Sequence, residues 1–302
     1  MIKLADILTE QESKITDLFI GQARPKFNSD SLLQNISTAG EKIASKLLTI
    51  GGAIDIEVTS NMSTNDVINK IKVLAVKGVL VPGKLNALEY DCTFSATLNT
   101  ITISAHGTGC GKFNYDIMQS SGANQFWDIL AKFCNSNTKI FLGGCSVARE
   151  PQTVSEIAKI TNCTVTAPSG LYAPATGVVA KTKDSFNLTQ QIGKYITCTN
   201  NPTGDTAKYR SFIYGNLRDL FDPRTNLSVG RMMSIIKDFR DDLNYISPAS
   251  YEKLNQNQTN EKLISTIIEQ FTIRLIKDYV KSLGCYASKT NPIQSTRQAI
   301  FK

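Results

Sequence analysis

A regular alternation of strand-like and helix-like segments between residues 51 and 215 constrains the fold of this 302-residue chain more than any other feature. Short stretches rich in β-branched residues, bounded by glycine, proline or asparagine, predict strands, and apolar residues at a 3.6-residue period predict the helices between them. The predicted strands cover residues 53–58, 78–81, 88–98, 101–105, 139–142, 163–167 and 211–214, and the predicted helices cover about 63–76, 123–134 and 152–161.

Strands that alternate with helices form a mostly parallel sheet with helices on both faces, joined by right-handed crossovers. We therefore predict an α/β fold, a three-layer sandwich around a mostly parallel central sheet. Residues 51–225 form the predicted central domain.

The two ends of the chain show the helical period instead. Leu4 to Ile20 places its apolar residues on one side of a helix, and a second helical stretch follows near residues 31–48. The chain is again helical from about Ser228, and the strongest of these helices ends before Gly284. We predict an N-terminal helical segment over 1–50 and a C-terminal helical segment over 226–302.

Composition excludes several classes of protein. With 41% hydrophobic and 20% charged residues the chain is an ordinary globular one rather than a disordered one. No apolar run approaches the ~18 residues of a membrane span, and no classical signal peptide is expected at the acidic start. The net charge of +7 is a moderate excess over a long chain, so no nucleic acid partner is expected.

Seven cysteines are too few, too scattered and odd in number for a disulfide scaffold. We therefore expect free thiols in a cytoplasmic protein, or in one delivered into a reducing cytosol.

The chain has one histidine, His106, so any imidazole chemistry must use it. His106 follows the predicted strand 101–105, and Cys145 follows the strand 139–142. Functional groups in an open parallel sheet lie just beyond the carboxyl ends of the strands. The two positions are 39 residues apart, the length of one crossover, so we expect the imidazole and the thiol to face each other across a cleft.

This pair of side chains points to nucleophilic catalysis. A thiol with a pKa of ~8.5 is mostly protonated at neutral pH, and a cationic imidazole or a helix N-terminus nearby lowers that pKa. Cys145 is the predicted nucleophile and His106 the predicted general acid and base. The backbone N–H groups of Gly107 and Cys145 are the predicted donors to the oxyanion.

The segments ITISAHGTGCG, KIFLGGCSVA and SEIAKITNCTVTAPSG together resemble the caspase-like (clan CD) cysteine peptidases, over roughly residues 51–215. That group includes caspases, legumain, clostripain, gingipain, separase and the autoprocessing domains of bacterial toxins. The resemblance implies a caspase-like sheet, hydrolysis of peptide bonds in a protein or peptide substrate, His106 and Cys145 as a catalytic dyad, and no metal or organic cofactor. It also implies a self-processing or secreted effector protease.

Several alternatives stay open. Cys110, in a glycine-rich loop four residues after His106, is a rival nucleophile, although no strand holds it rigidly. The whole unit is alternatively a non-catalytic caspase-like interaction module, or a thioester-forming acyltransferase or deamidase that uses the same dyad. The resemblance to toxin domains also allows activation by a polyanion such as inositol hexakisphosphate, which a net charge of +7 permits without requiring.

Two other motifs fail on chemical grounds. The stretch Gly107–Lys112 lacks the first glycine and the final serine or threonine of a phosphate-binding loop. Zinc is not expected, because the chain has no Cys-x-x-Cys pair and one histidine supplies at most one imidazole.

Overall fold

A computed structural model describes residues 16–22, 54–59, 61–91, 113, 117–118, 123–173, 178–183, 187–214, 231, 234–235 and 261–291. Seven strands form one sheet in the order β2-β1-β3-β4-β5-β8-β9, and β6 and β7 form a separate hairpin. The strands are β1 (Thr16–Gln22), β2 (Ile54–Val58), β3 (Leu85–Asp91), β4 (Cys134–Leu142), β5 (Thr164–Pro168), β6 (Leu171–Ala173), β7 (Val178–Ala180), β8 (Tyr195–Cys198) and β9 (Cys285–Ser288).

The sheet is mostly parallel, as predicted. The strands from β2 to β5 pair in parallel with their neighbours, whereas β8 runs antiparallel to both β5 and β9. The principal helices are α1 (Thr64–Val76), α2 (Ala123–Ala131), α3 (Pro151–Thr161), α4 (Thr206–Phe212) and α5 (Glu261–Ser282).

One face of the sheet and the helices share a single hydrophobic core. Alternate residues of each strand, such as Ile140 and Leu142 in β4, pack against buried residues of α1, α2, α3 and α5. The crossovers that contain α1, α2 and α3 all step in the same direction along the sheet, and right-handed connections then place their helices on the same face. Residues 23–53, which join β1 to β2 in the opposite direction, lie outside the described part of the chain.

The predicted helix starts are confirmed at α1 and α3. Ser63 and Asp66 form a capping box in which each side chain accepts a hydrogen bond from the other residue's backbone N–H, so two N–H groups without helical partners are satisfied. Pro151 begins α3, where its missing N–H costs nothing.

The helix predicted over Leu4 to Ile20 is wrong over its last part, because Thr16–Gln22 is the strand β1. Leu18 and Ile20 are buried in the core, and β1 is hydrogen-bonded on one side to β2 and on the other to β3. An apolar segment in the middle of a sheet has apolar residues on both faces, and over a few residues it satisfies the helical period as well.

Two predicted strands also have other structures. Gly78 adopts a left-handed φ of 68°, and the N–H groups of Val79 and Leu80 donate to the carbonyl of Leu74, so residues 78–81 close the end of α1. Residues 211–214 continue the helical segment that Asp205 caps at its start. In both places the apolar residues that suggested a strand belong to a helix or its end.

The predicted division at residues 50 and 225 does not separate the described elements into independent units. β1 comes from the segment predicted to be helical at the N-terminus, and β9 comes from the C-terminal segment, yet both are strands of the same sheet. The C-terminal helix itself is confirmed as α5. It ends before Gly284, which has a left-handed φ of 76° and at which a β-carbon would clash with the carbonyl oxygen of Asn201.

A disulfide joins Cys198 of β8 to Cys285 of β9, so the expectation of free thiols throughout is wrong for this pair. The two residues are directly opposite each other in the antiparallel register, although 87 residues separate them along the chain. The positions of the cysteines along the sequence do not indicate this pairing, because the two residues meet only when β9 pairs with β8 in the folded sheet.

Among the described residues, no helix combines the length and the apolar character needed to cross a membrane.

Candidate functional site

Cys145 lies three residues beyond β4, at the carboxyl edge of the parallel strands, as predicted from the sequence. The chain leaves β4 through Gly143 and Gly144, and the N–H of Gly143 donates to the carbonyl of Tyr90 in β3 at 2.6 Å. This hydrogen bond connects the end of β3 to the start of the loop that carries Cys145. The thiol therefore lies at the edge of the sheet where ligands of α/β folds bind.

The sulfur of Cys145 rests against the hairpin of β6 and β7. The N–H of Tyr172 in β6 donates to Sγ at 3.3 Å, and the thiol lies 3.6 Å from the carbonyl oxygen of the same residue. Cys145 is half-buried and packs against a small aromatic cluster. The cluster consists of Phe141, Tyr172, Val179 and Tyr195. The sulfur thus has a fixed position and is not enclosed in the main core.

The backbone turns sharply directly after Cys145. Ser146 has φ 55° and ψ 25°, in the left-handed region that a residue with a β-carbon seldom adopts. Its N–H donates to the carbonyl of Gly170 at 2.8 Å, which ties the cysteine loop to the connection between β5 and β6. The turn fixes Cys145 between the end of a strand and the helical segment that leads into α3.

Asn187 is a buried polar residue that holds two loops together behind Cys145. Its side-chain NH₂ donates to the carbonyl of Ser169 at 2.6 Å and lies 3.4 Å from Oγ of Ser146. Its amide oxygen accepts from the hydroxyl of Thr189 at 3.1 Å. With 1% of its surface exposed, Asn187 has no water to replace these partners. It therefore positions the turn at Ser146 relative to the end of β5.

Gly170 permits the close approach of the hairpin to the cysteine loop. A β-carbon at this position would lie 2.2 Å from the carbonyl oxygen of Ala180 in β7, a contact that backbone atoms cannot accept. A side chain there would separate β6 and β7 from the turn that Ser146 makes.

Tyr195 in the aromatic cluster is not a base at neutral pH. Burial raises the pKa of its phenol to about 12, because the charged phenolate is disfavoured away from water. Tyr195 is therefore not a candidate for a base beside Cys145.

His106, Gly107 and the rival Cys110 lie outside the described residues, so their predicted roles stay predictions. The segment that contains them, residues 92–112, is bounded by described residues at both ends. Its first neighbour is Asp91, the last residue of β3, and its other neighbour is Phe113. The ring of Phe113 contacts that of Tyr90 with centroids 6.1 Å apart, and it is fully buried.

No sequence pattern indicates that Tyr172 and Asn187 lie beside Cys145. The sequence Pro168-Ser169-Gly170 is typical of a turn after a strand, but it does not indicate what packs against Gly170. A separate cleft of about 380 Å³ lies between α4 and α5 and does not include Cys145.

Replacing Asn187 with alanine is expected to lower the free energy of unfolding by about 2 kcal/mol, because a buried carbonyl and two hydroxyl groups lose their partner. Urea unfolding followed by the fluorescence of Trp127, the one tryptophan of the chain, measures this change. Asn65→Ala on the exposed surface of α1 is the matched control and should change stability by less than about 0.5 kcal/mol. Equal effects of the two substitutions would show that the Asn187 contacts do not stabilise the loops.

Comparison of the chain with protein-family models, with curated proteins and with solved structures finds no match to any of them.

Proposed function

We propose that this protein is a caspase-like cysteine endopeptidase in which Cys145 is the nucleophile and His106 the general acid and base. The observation that carries the proposal is the place of Cys145. It is a half-buried thiol at the carboxyl edge of a parallel sheet, held by the backbone of Tyr172 directly before a strained turn at Ser146. Precise placement of the attacking atom is what nucleophilic catalysis requires.

The strand order supports the proposal. β3 and β4 are neighbours in the sheet, so the connection that contains His106 leaves the sheet beside the strand that leads to Cys145. A mostly parallel sheet with the thiol at its carboxyl edge is compatible with the three-layer, caspase-like arrangement that we propose for the whole chain.

The anchors of segment 92–112 also support the dyad. Tyr90, which contacts Phe113 at one end of the segment, accepts the hydrogen bond from Gly143 near Cys145. His106 is seven residues from Phe113, and an extended chain of that length spans about 25 Å at most. Both ends of the segment thus start from the edge of the sheet that carries the thiol, and we propose that the segment brings the imidazole to Cys145.

The proposed reaction proceeds through a thioester. His106 takes the proton of the thiol, and the sulfur attacks the carbonyl carbon of the scissile bond while the N–H groups of Gly107 and Cys145 stabilise the oxyanion. The protonated imidazole gives its proton to the leaving amine as the C–N bond breaks. A water molecule, deprotonated by His106, then hydrolyses the thioester and restores the thiol.

The disulfide indicates the environment in which the chain folds. Disulfides form and persist in oxidising environments. We expected either a protein that stays in the cytoplasm or one that is delivered into a reducing cytosol. The Cys198–Cys285 bond fits the delivered protein better, because such a protein can fold in an oxidising environment first. We propose that the chain folds under oxidising conditions before delivery.

A cleavage screen over a peptide library, with intact-protein mass spectrometry of the enzyme, tests the proposed function. We expect cleavage by the wild-type chain and selective labelling of Cys145 by a thiol-specific electrophile. Transfer of a peptide acyl group to an amine would instead indicate an acyltransferase. Conversion of a glutamine side chain to glutamate would indicate a deamidase. No turnover, together with labelling of Cys145 no faster than that of Cys134, would indicate a non-catalytic module.

A further inference from the structure

Two free cysteines lie together at the opposite edge of the sheet from Cys145. Cys134 is the first residue of β4, and Cys163 directly precedes β5, the next strand in the sheet. Each thiol donates to a backbone carbonyl, Cys134 to Leu130 at 3.3 Å and Cys163 to Thr161 at 3.1 Å, and the two thiols are close enough for each to shift the pKa of the other. The proposed peptidase uses neither of them, and the contact does not depend on that function.

The backbone around the pair brings the sulfur of Cys163 close to the start of β4. The register of β3 and β4 shifts between Cys134 and Lys139, and in this bulge the backbone N–H of Asn135 donates to the hydroxyl of Thr138 at 2.8 Å. The sulfur of Cys163 lies 3.8 Å from the carbonyl oxygen of Asn135, the residue next to Cys134. Thr164, next to Cys163, pairs with Lys139 in the parallel register. Both cysteines are thus held by paired strands.

We propose that Cys134 and Cys163 form a reversible dithiol–disulfide pair, a redox modification site that reacts with small disulfides of the glutathione class. The two residues differ in access to solvent, since Cys134 is half-buried and Cys163 is 3% exposed. Cys134 is therefore the residue that meets the external disulfide, and Cys163 is the residue that completes the exchange.

The exchange has two steps. The thiolate of Cys134 attacks one sulfur of glutathione disulfide, which forms a mixed disulfide and releases one glutathione thiolate. The thiolate of Cys163 then attacks Sγ of Cys134, which forms the protein disulfide and releases the second glutathione. The two protein thiols lose two protons and two electrons, and one glutathione disulfide is reduced to two molecules of glutathione.

The contact shifts the two thiol pKa values in opposite directions. It lowers the pKa of Cys163, and together with burial it raises the pKa of Cys134 well above its ordinary value. Cys163 is therefore the more easily ionised member of the pair, which favours the second step, and ionisation of Cys134 limits the rate of the first step.

Peptide mapping of the full-length chain tests the proposal. The protein is equilibrated in buffers of glutathione and glutathione disulfide, quenched in acid, alkylated with N-ethylmaleimide in urea and digested with trypsin. Cys134 then lies in peptide 133–139 and Cys163 in peptide 160–181. As the buffer becomes more oxidising, both peptides should lose more than half of their maleimide adduct together. One linked peptide that lacks two hydrogens should replace them.

Single substitutions separate the two steps. Cys163→Ser should stop the reaction at a mixed disulfide of glutathione on peptide 133–139, and Cys134→Ser should leave Cys163 as a free thiol. The proposal is overturned if wild-type Cys134 accumulates as the mixed disulfide, or if both thiols stay fully alkylated while the Cys198–Cys285 bond remains intact in the same sample. The wild-type measurement decides the question even where a variant fails to fold.

Discussion

Cys145→Ala is expected to lower kcat/KM for peptide cleavage by at least about 10³-fold, because no other group forms the thioester in the proposed reaction. His106→Ala should produce a loss of similar size, since the thiol then has no acid or base partner. The two residues act as a unit, and the double substitution should therefore cost little more than either single one. Initial rates on the best peptide from the library, with the three variants and the wild type, measure these effects.

Two other variants serve as controls. Cys110→Ala removes the rival nucleophile in the same segment as His106, and Cys134→Ala removes a thiol from the other edge of the sheet. Both should retain cleavage activity within a few-fold of the wild type. Loss of activity in Cys110→Ala with full activity in Cys145→Ala would move the nucleophile to Cys110 and contradict our assignment.

Cys145→Ser separates chemistry from position. Serine is close in size to cysteine and is expected to keep the contact with the backbone of Tyr172, but a hydroxyl is a much weaker nucleophile than a thiol at neutral pH. The variant should unfold at the same urea concentration as the wild type while it loses activity. A parallel loss of stability would indicate that the thiol mainly supports the packing of the β6–β7 hairpin.

Local sequence patterns were sufficient for much of the fold. The strands β2, β4 and β5 and the helices α1, α3 and α5 follow from periodicity and from end signals such as Pro151 and Gly284, which act over a few residues. β1 could not be predicted in this way. Its identity as a strand depends on pairing with β2 and β3, which lie more than 30 and more than 60 residues further along the chain.

The candidate site could likewise be predicted only in part. The position of Cys145 after a strand could be predicted, because a strand end is a local property. The contacts that hold it could not be, since Tyr172 and Asn187 reach the cysteine loop only when the hairpin folds back over the sheet. A serine at a left-handed φ, as at Ser146, also gives no sign in a sequence, since glycine is the residue that usually marks such a turn.

Reduction of the Cys198–Cys285 disulfide is expected to lower the free energy of unfolding by about 4 kcal/mol. In the chain-entropy model the stabilisation increases with the length of the loop that the bond closes, and a separation of 87 residues gives a value near the upper end of the usual range. Both cysteines are buried, and the loop between them contains α4 and α5. The bond therefore restrains the unfolded chain over more than a quarter of its length.

Urea unfolding with and without dithiothreitol, at equilibrium and followed by the fluorescence of Trp127, measures this loss. The double substitution Cys198→Ala with Cys285→Ala should already be destabilised and should not respond to reductant. The control Cys134→Ala retains the disulfide and should lose stability on reduction as the wild type does. An unchanged urea midpoint in reduced wild type would mean that the pairing of β8 with β9 holds the C-terminal segment without the bond. The sheet would then depend on its hydrogen bonds and on the contact between α3 and the residue that follows α5, where Oγ of Ser155 donates to the carbonyl of Leu283 at 2.7 Å.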